Sequence, residues 1–206
     1  MATRRIAVVT AGLSQPSATR LLSDRLAAAT VVALRERGDH AEVTVFEARD
    51  YAQDLVNHLL TGFPGPRLRG AIASILGADG LIAVTPIFSG TYSGLFKTFV
   101  DVLERDALDG MPVVVAATGG SARHSLALDH AMRPLFAYLH AAVLPTAVFA
   151  ATDDWGDVEE AGPLARRIER AADELALAVV GRQPRVVTDE FADVIPFERL
   201  LAGTDG

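Results

Sequence analysis

The sequence of 206 residues contains no cysteine. This absence excludes disulfide bonds, thiolate metal sites and a catalytic thiol, and it fits a reducing cytoplasm. The chain also lacks a basic excess, because 19 lysine and arginine residues against 26 aspartate and glutamate residues give a formal net charge of −7. The arginines are scattered and form no basic stripe, which argues against a nucleic-acid partner.

Long hydrophobic runs are absent as well. No apolar stretch approaches the roughly 18–20 residues needed to cross a bilayer. The N-terminal residues, MATRRIAVVTAG, contain an apolar run that is too short for a signal peptide. We therefore expect a soluble cytoplasmic protein with no membrane partner. Half of the residues are hydrophobic, which is enough for one domain with a sizeable core.

Short β-branched segments alternate along the chain with segments of helical periodicity. The predicted strands are residues 4–10, 41–46, 79–85, 112–118 and 142–149. The predicted helices are residues 17–37, 67–77, 93–104, 124–140 and 157–181. This alternation predicts an α/β protein with a doubly wound, five-stranded parallel sheet between two helical layers. We expect one domain, residues 1–182, followed by a polar C-terminal tail, 183–206.

Two segments depart from this regular pattern. Residues 49–66 form the one long irregular connection, and their apolar content favours a lid or an interface element over disorder. Inside the helix predicted over 124–140, Pro134 has no N–H, so the carbonyl of His130 loses its usual partner. Two outcomes are open there: a kink that curves the helix over the sheet, which we favour, and a π-bulge.

Three loops follow the first, third and fourth predicted strands. They are TAGLSQPSATR (10–20, the first loop), TPIFSGTYSG (85–94, the second loop) and TGGSARHS (118–125, the third loop). In an open parallel sheet, ligands bind outside the carboxyl ends of the strands, where these loops meet. None of the three matches G-x-G-x-x-G or G-x-x-x-x-G-K-[ST], which argues against a dinucleotide fingerprint and against a P-loop.

The first loop is rich in hydroxyl and amide side chains at the start of a predicted helix. They belong to Ser14, Gln15, Ser17 and Thr19. Free backbone N–H groups and the positive end of the helix dipole favour an anion at such a place. Capping the helix would need only one hydroxyl. We therefore favour phosphate binding over capping alone.

The third loop contains the paired glycines Gly119 and Gly120 directly after Thr118. Glycines permit positive φ and a close approach of backbone to a flat ligand, although a plain turn is the favoured explanation when they are taken alone. The second loop adds small and hydroxylated residues on the neighbouring strand end. Together with the first loop, these features predict a mononucleotide site with a flat ring.

In order and spacing, the three loops resemble those of the flavodoxin-like NAD(P)H-dependent FMN reductase family. The resemblance rests on TPIFSGTYSGLFKTFVD and ATGGSARHSLALDHAMRPL, and it covers residues 4–180. It is closest to the subgroup that partners luciferase-like, flavin-dependent monooxygenases, which the segment 152–156 also resembles. Many members carry an arginine in the first loop where this chain has Gln15.

The resemblance implies a flavodoxin-like fold and an enzyme that passes hydride from NAD(P)H to FMN, supplying reduced flavin to a two-component monooxygenase. It also implies a homodimer or homotetramer. The implied FMN contacts are Ser14, Gln15, Ser17 and Thr19 for the phosphate; Pro86, Ile87, Phe88, Ser89 and Gly90 for the ribityl chain and one ring edge; and Thr118, Gly119 and Gly120 for the pyrimidine edge. His124 matches the motif and is expected to order the third loop.

No catalytic side chain and no metal site are expected. Hydride transfer between a nicotinamide and a flavin requires stacking and alignment rather than a nucleophile, and the histidines show no spacing such as H-E-x-x-H. Two other functions remain open. One is an FMN-bound quinone or azo reductase, and the other is a flavodoxin-type electron carrier. A carrier is disfavoured because such proteins are more acidic and carry T-x-T-G-x-T in the first loop.

Overall fold

A computed structural model describes residues 1–155 and 162–182. The predicted tail, 183–206, and the last residue of the 152–156 segment lie outside these residues. Within the described ranges, no helix combines the length and the apolar character that a membrane span requires.

The secondary structure follows the predicted alternation. The strands are β1 (Thr3–Thr10), β2 (His40–Glu47), β3 (Gly80–Phe88), β4 (Thr91–Tyr92), β5 (Pro112–Gly119), β6 (Ala142–Val143) and β7 (Val148–Ala151). The helices are α1 (Ala18–Glu36), α2 (Ala52–Thr61), α3 (Pro66–Leu76), α4 (Gly94–Asp101), α5 (Arg133–Tyr138) and α6 (Pro163–Gly181).

The strand order is β2-β1-β3-β5-β6, and β7 also pairs with β5. All of these pairs are parallel, whereas the two-residue strand β4 pairs antiparallel with the end of β3. If β6 and β7 are counted as one broken strand, the order is that of the flavodoxin-like doubly wound fold. The predicted five-stranded parallel sheet is confirmed, and β4 is an addition that was not predicted.

The sheet separates two hydrophobic clusters, because successive side chains of each strand point to opposite faces. Val9 packs with α2, α3, α4 and α5 on one face. Val8, its neighbour, packs with α1 and α6 on the other. Both faces are therefore covered, which is why the central strands are continuously apolar. The predicted three-layer α/β/α arrangement is confirmed.

The fifth strand is not continuous over 142–149. It consists of β6 and β7, separated by residues 144–147. Leu144 still donates its N–H to the Val113 carbonyl at 2.9 Å. The next residue, Pro145, has no N–H with which to continue the ladder. The proline thus accounts for the interruption.

The segment 49–66 is helical, so the prediction of a long irregular connection is wrong. A 3-10 turn, Ala48–Tyr51, leads directly into α2, and Gly62 ends that helix with a φ of 78°. Leu55 is the buried residue of α2. Val56, Leu59 and Leu60 are exposed, yet together with Leu55 they recur at helical spacing, so the sequence carried the periodicity of this helix.

The helix predicted over 124–140 is divided. A 3-10 turn, Ala122–His124, precedes a π-helical turn, Leu128–Met132, and α5 follows. Arg133 donates its N–H to the Leu128 carbonyl, five residues back, directly before Pro134. The favoured simple kink is wrong and the π-bulge is confirmed, because the wider turn changes the hydrogen-bond register where the proline lacks a donor.

Candidate cofactor site

The three loops converge at the carboxyl edge of the sheet. β1 and β5 both pair with β3, so the loops that follow these strands lie side by side. From β1, the chain continues to β2 on one side and then to β3 on the other, which makes the β1/β3 boundary the topological switch point. In this fold class, ligands bind at that point.

A buried hydrogen bond joins the first loop to the third. The Oγ1 atoms of Thr19 and Thr118 lie 2.8 Å apart, and both residues are buried. The structure therefore brings together two predicted site residues that are 99 positions apart in the sequence. Their contact fixes the start of α1 against the end of β5.

Ser17 is the N-cap of α1. Its Oγ accepts a hydrogen bond from the Arg20 N–H at 3.2 Å, and its carbonyl accepts the first intrahelical bond from Leu21 at 3.0 Å. The amides ahead of that bond have no intrahelical acceptor and suit an anionic ligand. Ser14 and Gln15 are exposed beside them. The capping interpretation of Ser17 is thus correct, and it leaves the neighbouring donors for a phosphate.

Gly12 allows the first loop to fold back on itself. A Cβ atom at this position would lie 2.1 Å from Ser17 Oγ and 3.2 Å from the Cβ of Thr19. No side chain fits in that space. The sequence analysis did not select Gly12, although its place two residues after a strand and before the hydroxyl-rich segment is a usable signal.

These features fit the phosphate end of FMN. Thr10, the last residue of β1, is 1% exposed, and its Oγ1 has no hydrogen-bond partner within the protein. A buried hydroxyl without a partner costs about 1–3 kcal/mol, which a hydrogen-bonding ligand would offset. Gly12, the free amides at the start of α1 and the exposed side chains of Ser14 and Gln15 lie directly after Thr10.

The second loop is a tight hairpin rather than an open connection. Phe88 pairs with Thr91, and the two residues between them, Ser89 and Gly90, have φ values of 49° and 88°. Positive φ at both positions is typical of a type I′ turn, the turn that joins two antiparallel strands most closely. Phe88, Ser89 and Gly90 are exposed at its tip.

The other two predicted residues of this segment lie inside β3. Pro86 is buried and stands opposite Thr118 of β5 in the sheet register, while Ile87 is half-buried and pairs with Tyr92. Thr85 Oγ1 accepts a hydrogen bond from the Ser93 N–H at 3.1 Å. The hairpin is thereby anchored at its base and presents its tip to the edge of the sheet.

The third loop contains one glycine that its surroundings require and one that they do not. A Cβ atom on Gly119 would lie 2.9 Å from Phe149 Cζ, whereas nothing lies within 4 Å of a Cβ on Gly120. Gly120 is exposed. His124 is also exposed and donates its backbone N–H to the Ser121 carbonyl at 3.2 Å. The loop thus offers backbone and little side-chain bulk to a ligand.

Charged residues that are not among the predicted FMN contacts border the first loop. Arg20 contacts Asp24 at 2.8 Å and also pairs with Glu47 at the end of β2. The hydrogen bond to Asp24, followed by the interactions with Glu47, raises the pKa of Arg20 above its ordinary value. Arg49 pairs with the same Glu47 at 2.5 Å. Among the described residues, no cluster of three or more acidic or histidine side chains could hold a metal ion.

Comparisons with known proteins agree with this geometry. The sequence model of the family described as NADPH-dependent FMN reductase matches residues 4–156, which include all three loops. An FMN reductase (NADPH) of Pseudomonas aeruginosa is 34% identical over 181 residues, covering 86% of this chain and 94% of the relative. The NADH-dependent FMN reductase SfnE of Pseudomonas putida is 34% identical over 171 residues, covering 82% and 88%. The crystal structure of an oxidoreductase from Corynebacterium diphtheriae has 44% identity and a TM-score of 0.83, covering 88% of this chain and 99% of that one.

Proposed function

This chain belongs to the NADPH-dependent FMN reductase family, and we propose that the carboxyl edge of its sheet is where it holds FMN for reduction by NAD(P)H. The observation that carries the placement is the convergence of the three loops at the β1/β3 switch point. In this proposal the first loop and the start of α1 bind the phosphate, and the second and third loops border the ring.

Bound FMN supplies the flavin N5 atom that accepts hydride from the nicotinamide. The chain's own contribution is binding and alignment. Ser89 and Gly90 at the hairpin tip and Gly120 in the third loop are small and exposed, and nothing lies within 4 Å of a Cβ built on either glycine. In this proposal, backbone N–H groups of the third loop stabilise negative charge near the pyrimidine edge, and no side chain is assigned a proton-transfer role.

The test of this function uses flavin-free protein under anaerobic conditions, with either NADPH or NADH and a large excess of FMN. We expect the protein to reduce many FMN molecules per subunit, because FMN is a substrate in this proposal. Both nicotinamides are needed, since one relative is named for NADPH and another for NADH. Fast turnover of a water-soluble quinone without turnover of free FMN would instead indicate a quinone or azo reductase. Failure to turn over either acceptor would favour an electron carrier.

The proposal extends to the fate of the product. Reduced FMN that leaves the protein requires an acceptor enzyme, and a two-component monooxygenase in the cytoplasm, where NAD(P)H is supplied, is the partner we propose. Anaerobic ultrafiltration after reduction should therefore recover reduced FMN in the filtrate. Reduced FMN that stays with the protein would contradict a supplying role and leave the reductase activity untouched.

We also propose a homodimer or homotetramer that forms through the surface of α2 together with Phe63, which follows the end of that helix. The side chains of Leu60 and Phe63 are 80% and 77% exposed, and Val56 and Leu59 lie beside them. The predicted helices 93–104 and 124–140 also carry apolar residues, but α4 buries Phe96, Phe99 and Val100 in the protein's own core.

Sedimentation velocity should therefore show more than one chain per particle. The double variant L60E/F63E should shift the protein to the monomer while its thermal unfolding stays close to wild type, because both side chains are exposed. A wild-type monomer at micromolar concentration would contradict the oligomer. An unshifted variant would contradict the assignment to α2.

A further inference from the structure

We propose that Arg49 is the positioning residue of the first loop and that it sets the preference for FMN over flavins without a phosphate. This inference rests on the proposed placement of the FMN phosphate at the first loop. Arg49 belongs to the 3-10 turn after β2, so it reaches the site from a strand end that none of the three loops occupies.

The guanidinium group of Arg49 is bonded to the tip of the first loop. Its Nη1 donates to the Ser14 carbonyl at 3.2 Å. When the Gln15 amide is oriented so that its oxygen faces Arg49, that oxygen accepts from Nη2 at 2.6 Å and from Nη1 at 3.2 Å. The opposite orientation would place donors against donors. Arg49 therefore contacts both exposed residues that are proposed to meet the phosphate.

Arg49 is itself held in place. Its Nη2 lies 2.5 Å from Glu47 Oε2, and the other carboxylate oxygen of Glu47 contacts Arg20. The Arg49 and Glu47 side chains are 21% and 17% exposed. Glu47 stands opposite Thr10 in the β1/β2 register, at the point where the first loop begins. The Arg49 guanidinium group thus links the tip of the first loop to Glu47 at the end of β2.

This arrangement favours a phosphate because the loop is already fixed before a ligand binds. Such a loop loses less conformational freedom on binding, so more of the interaction energy appears as affinity. A flavin without a phosphate makes no contact with the loop in this proposal and gains nothing from its rigidity.

The experiment measures dissociation constants of FMN and riboflavin for flavin-free protein by flavin fluorescence. In the variant R49M, the constant for FMN should rise by about tenfold, the scale of a lost hydrogen bond to a charged group. The constant for riboflavin should stay at its wild-type value. The matched control is R67M, because Arg67 donates to the Asp50 carbonyl and stacks on Tyr51 in the same segment without touching the first loop. R67M should preserve both constants.

Two further variants separate positioning from charge. R49K keeps the charge but lacks the planar guanidinium group that bonds two partners, so it should lose most of the preference for FMN over riboflavin. R49K also replaces R49M if R49M does not fold. E47Q makes the surroundings more positive while releasing Arg49. Positioning therefore predicts weaker FMN binding in E47Q, whereas a purely electrostatic role predicts tighter binding.

Three outcomes would overturn the role of Arg49: unchanged discrimination in R49M or R49K, equal loss of affinity for both flavins in R49M, and tighter FMN binding in E47Q. A wild-type protein that binds FMN and riboflavin equally well would instead overturn the placement of the phosphate site. The failure of the premise and the failure of this inference are thus distinguishable.

Discussion

The variant Gly12→Ala should bind FMN at least about tenfold more weakly than wild type, because a distorted first loop would lose hydrogen bonds to the charged phosphate. The added Cβ would lie 2.1 Å from Ser17 Oγ, so the Ser17 hydroxyl has to rotate away. The Arg20 N–H then loses its cap, which costs about 1 kcal/mol of stability. Equilibrium titration of flavin-free protein with FMN measures the loss of affinity.

Gly70→Ala is the matched control for this prediction. Gly70 lies in α3, and nothing lies within 4 Å of a Cβ built on it. Alanine is the better helix former by up to about 1 kcal/mol, so this variant should be slightly more stable and bind FMN as wild type does. Unchanged FMN affinity in Gly12→Ala would show that Ser17 and the turn it caps take no part in phosphate binding.

Phe96→Ala should produce the largest loss of stability, about 3–5 kcal/mol in the free energy of unfolding. The Phe96 side chain is 0% exposed. Its ring centroid lies 6.1 Å from that of Tyr92 in β4 and 6.1 Å from that of Phe136 in α5. The cavity left by alanine would therefore separate the hairpin, α4 and the helix after the π-turn. Urea unfolding followed by circular dichroism measures the change.

The control for Phe96 is the same substitution at a neighbouring exposed phenylalanine. Phe88 is 46% exposed at the hairpin tip, so Phe88→Ala should change the free energy of unfolding by less than about 1 kcal/mol. Similar losses in the two variants would contradict the aromatic cluster as the support of the hairpin. A loss below about 1 kcal/mol in Phe96→Ala would do the same.

Those parts of the fold that depend on burial were predictable from the sequence. β1, β3 and β5 are apolar on both faces because helices cover both, and their sequence segments show it. The helix α2 was predictable too, because Leu55, Val56 and Leu59 recur at helical spacing, and its omission was an error of interpretation. The two-residue strand β4 was missed because its only partner is the end of β3, across a turn defined by backbone angles. Such angles leave little trace in an apolar pattern.

The residues of the candidate site also divide into those that the sequence could identify and those that it could not. Ser17 could be selected because it stands at the start of a helix and its chemistry is local. Arg49 could not, because its contact with Ser14 spans 35 positions and depends on which strand lies beside β1. At Pro134 the sequence identified the missing donor correctly but not the solution, since a kink and a wider turn both relieve the same carbonyl.

The hydroxyl contact between Thr19 and Thr118 has a consequence for how the protein matures. The two residues are 99 positions apart, so the first and third loops of the proposed flavin site meet only after β1, β3 and β5 have assembled. The complete site is therefore expected only in the folded chain. A ligand that recognises only the native state stabilises it in proportion to its occupancy. FMN at the edge of the sheet would therefore act as a reporter of completed folding, and the cellular flavin supply would influence how much of the enzyme persists.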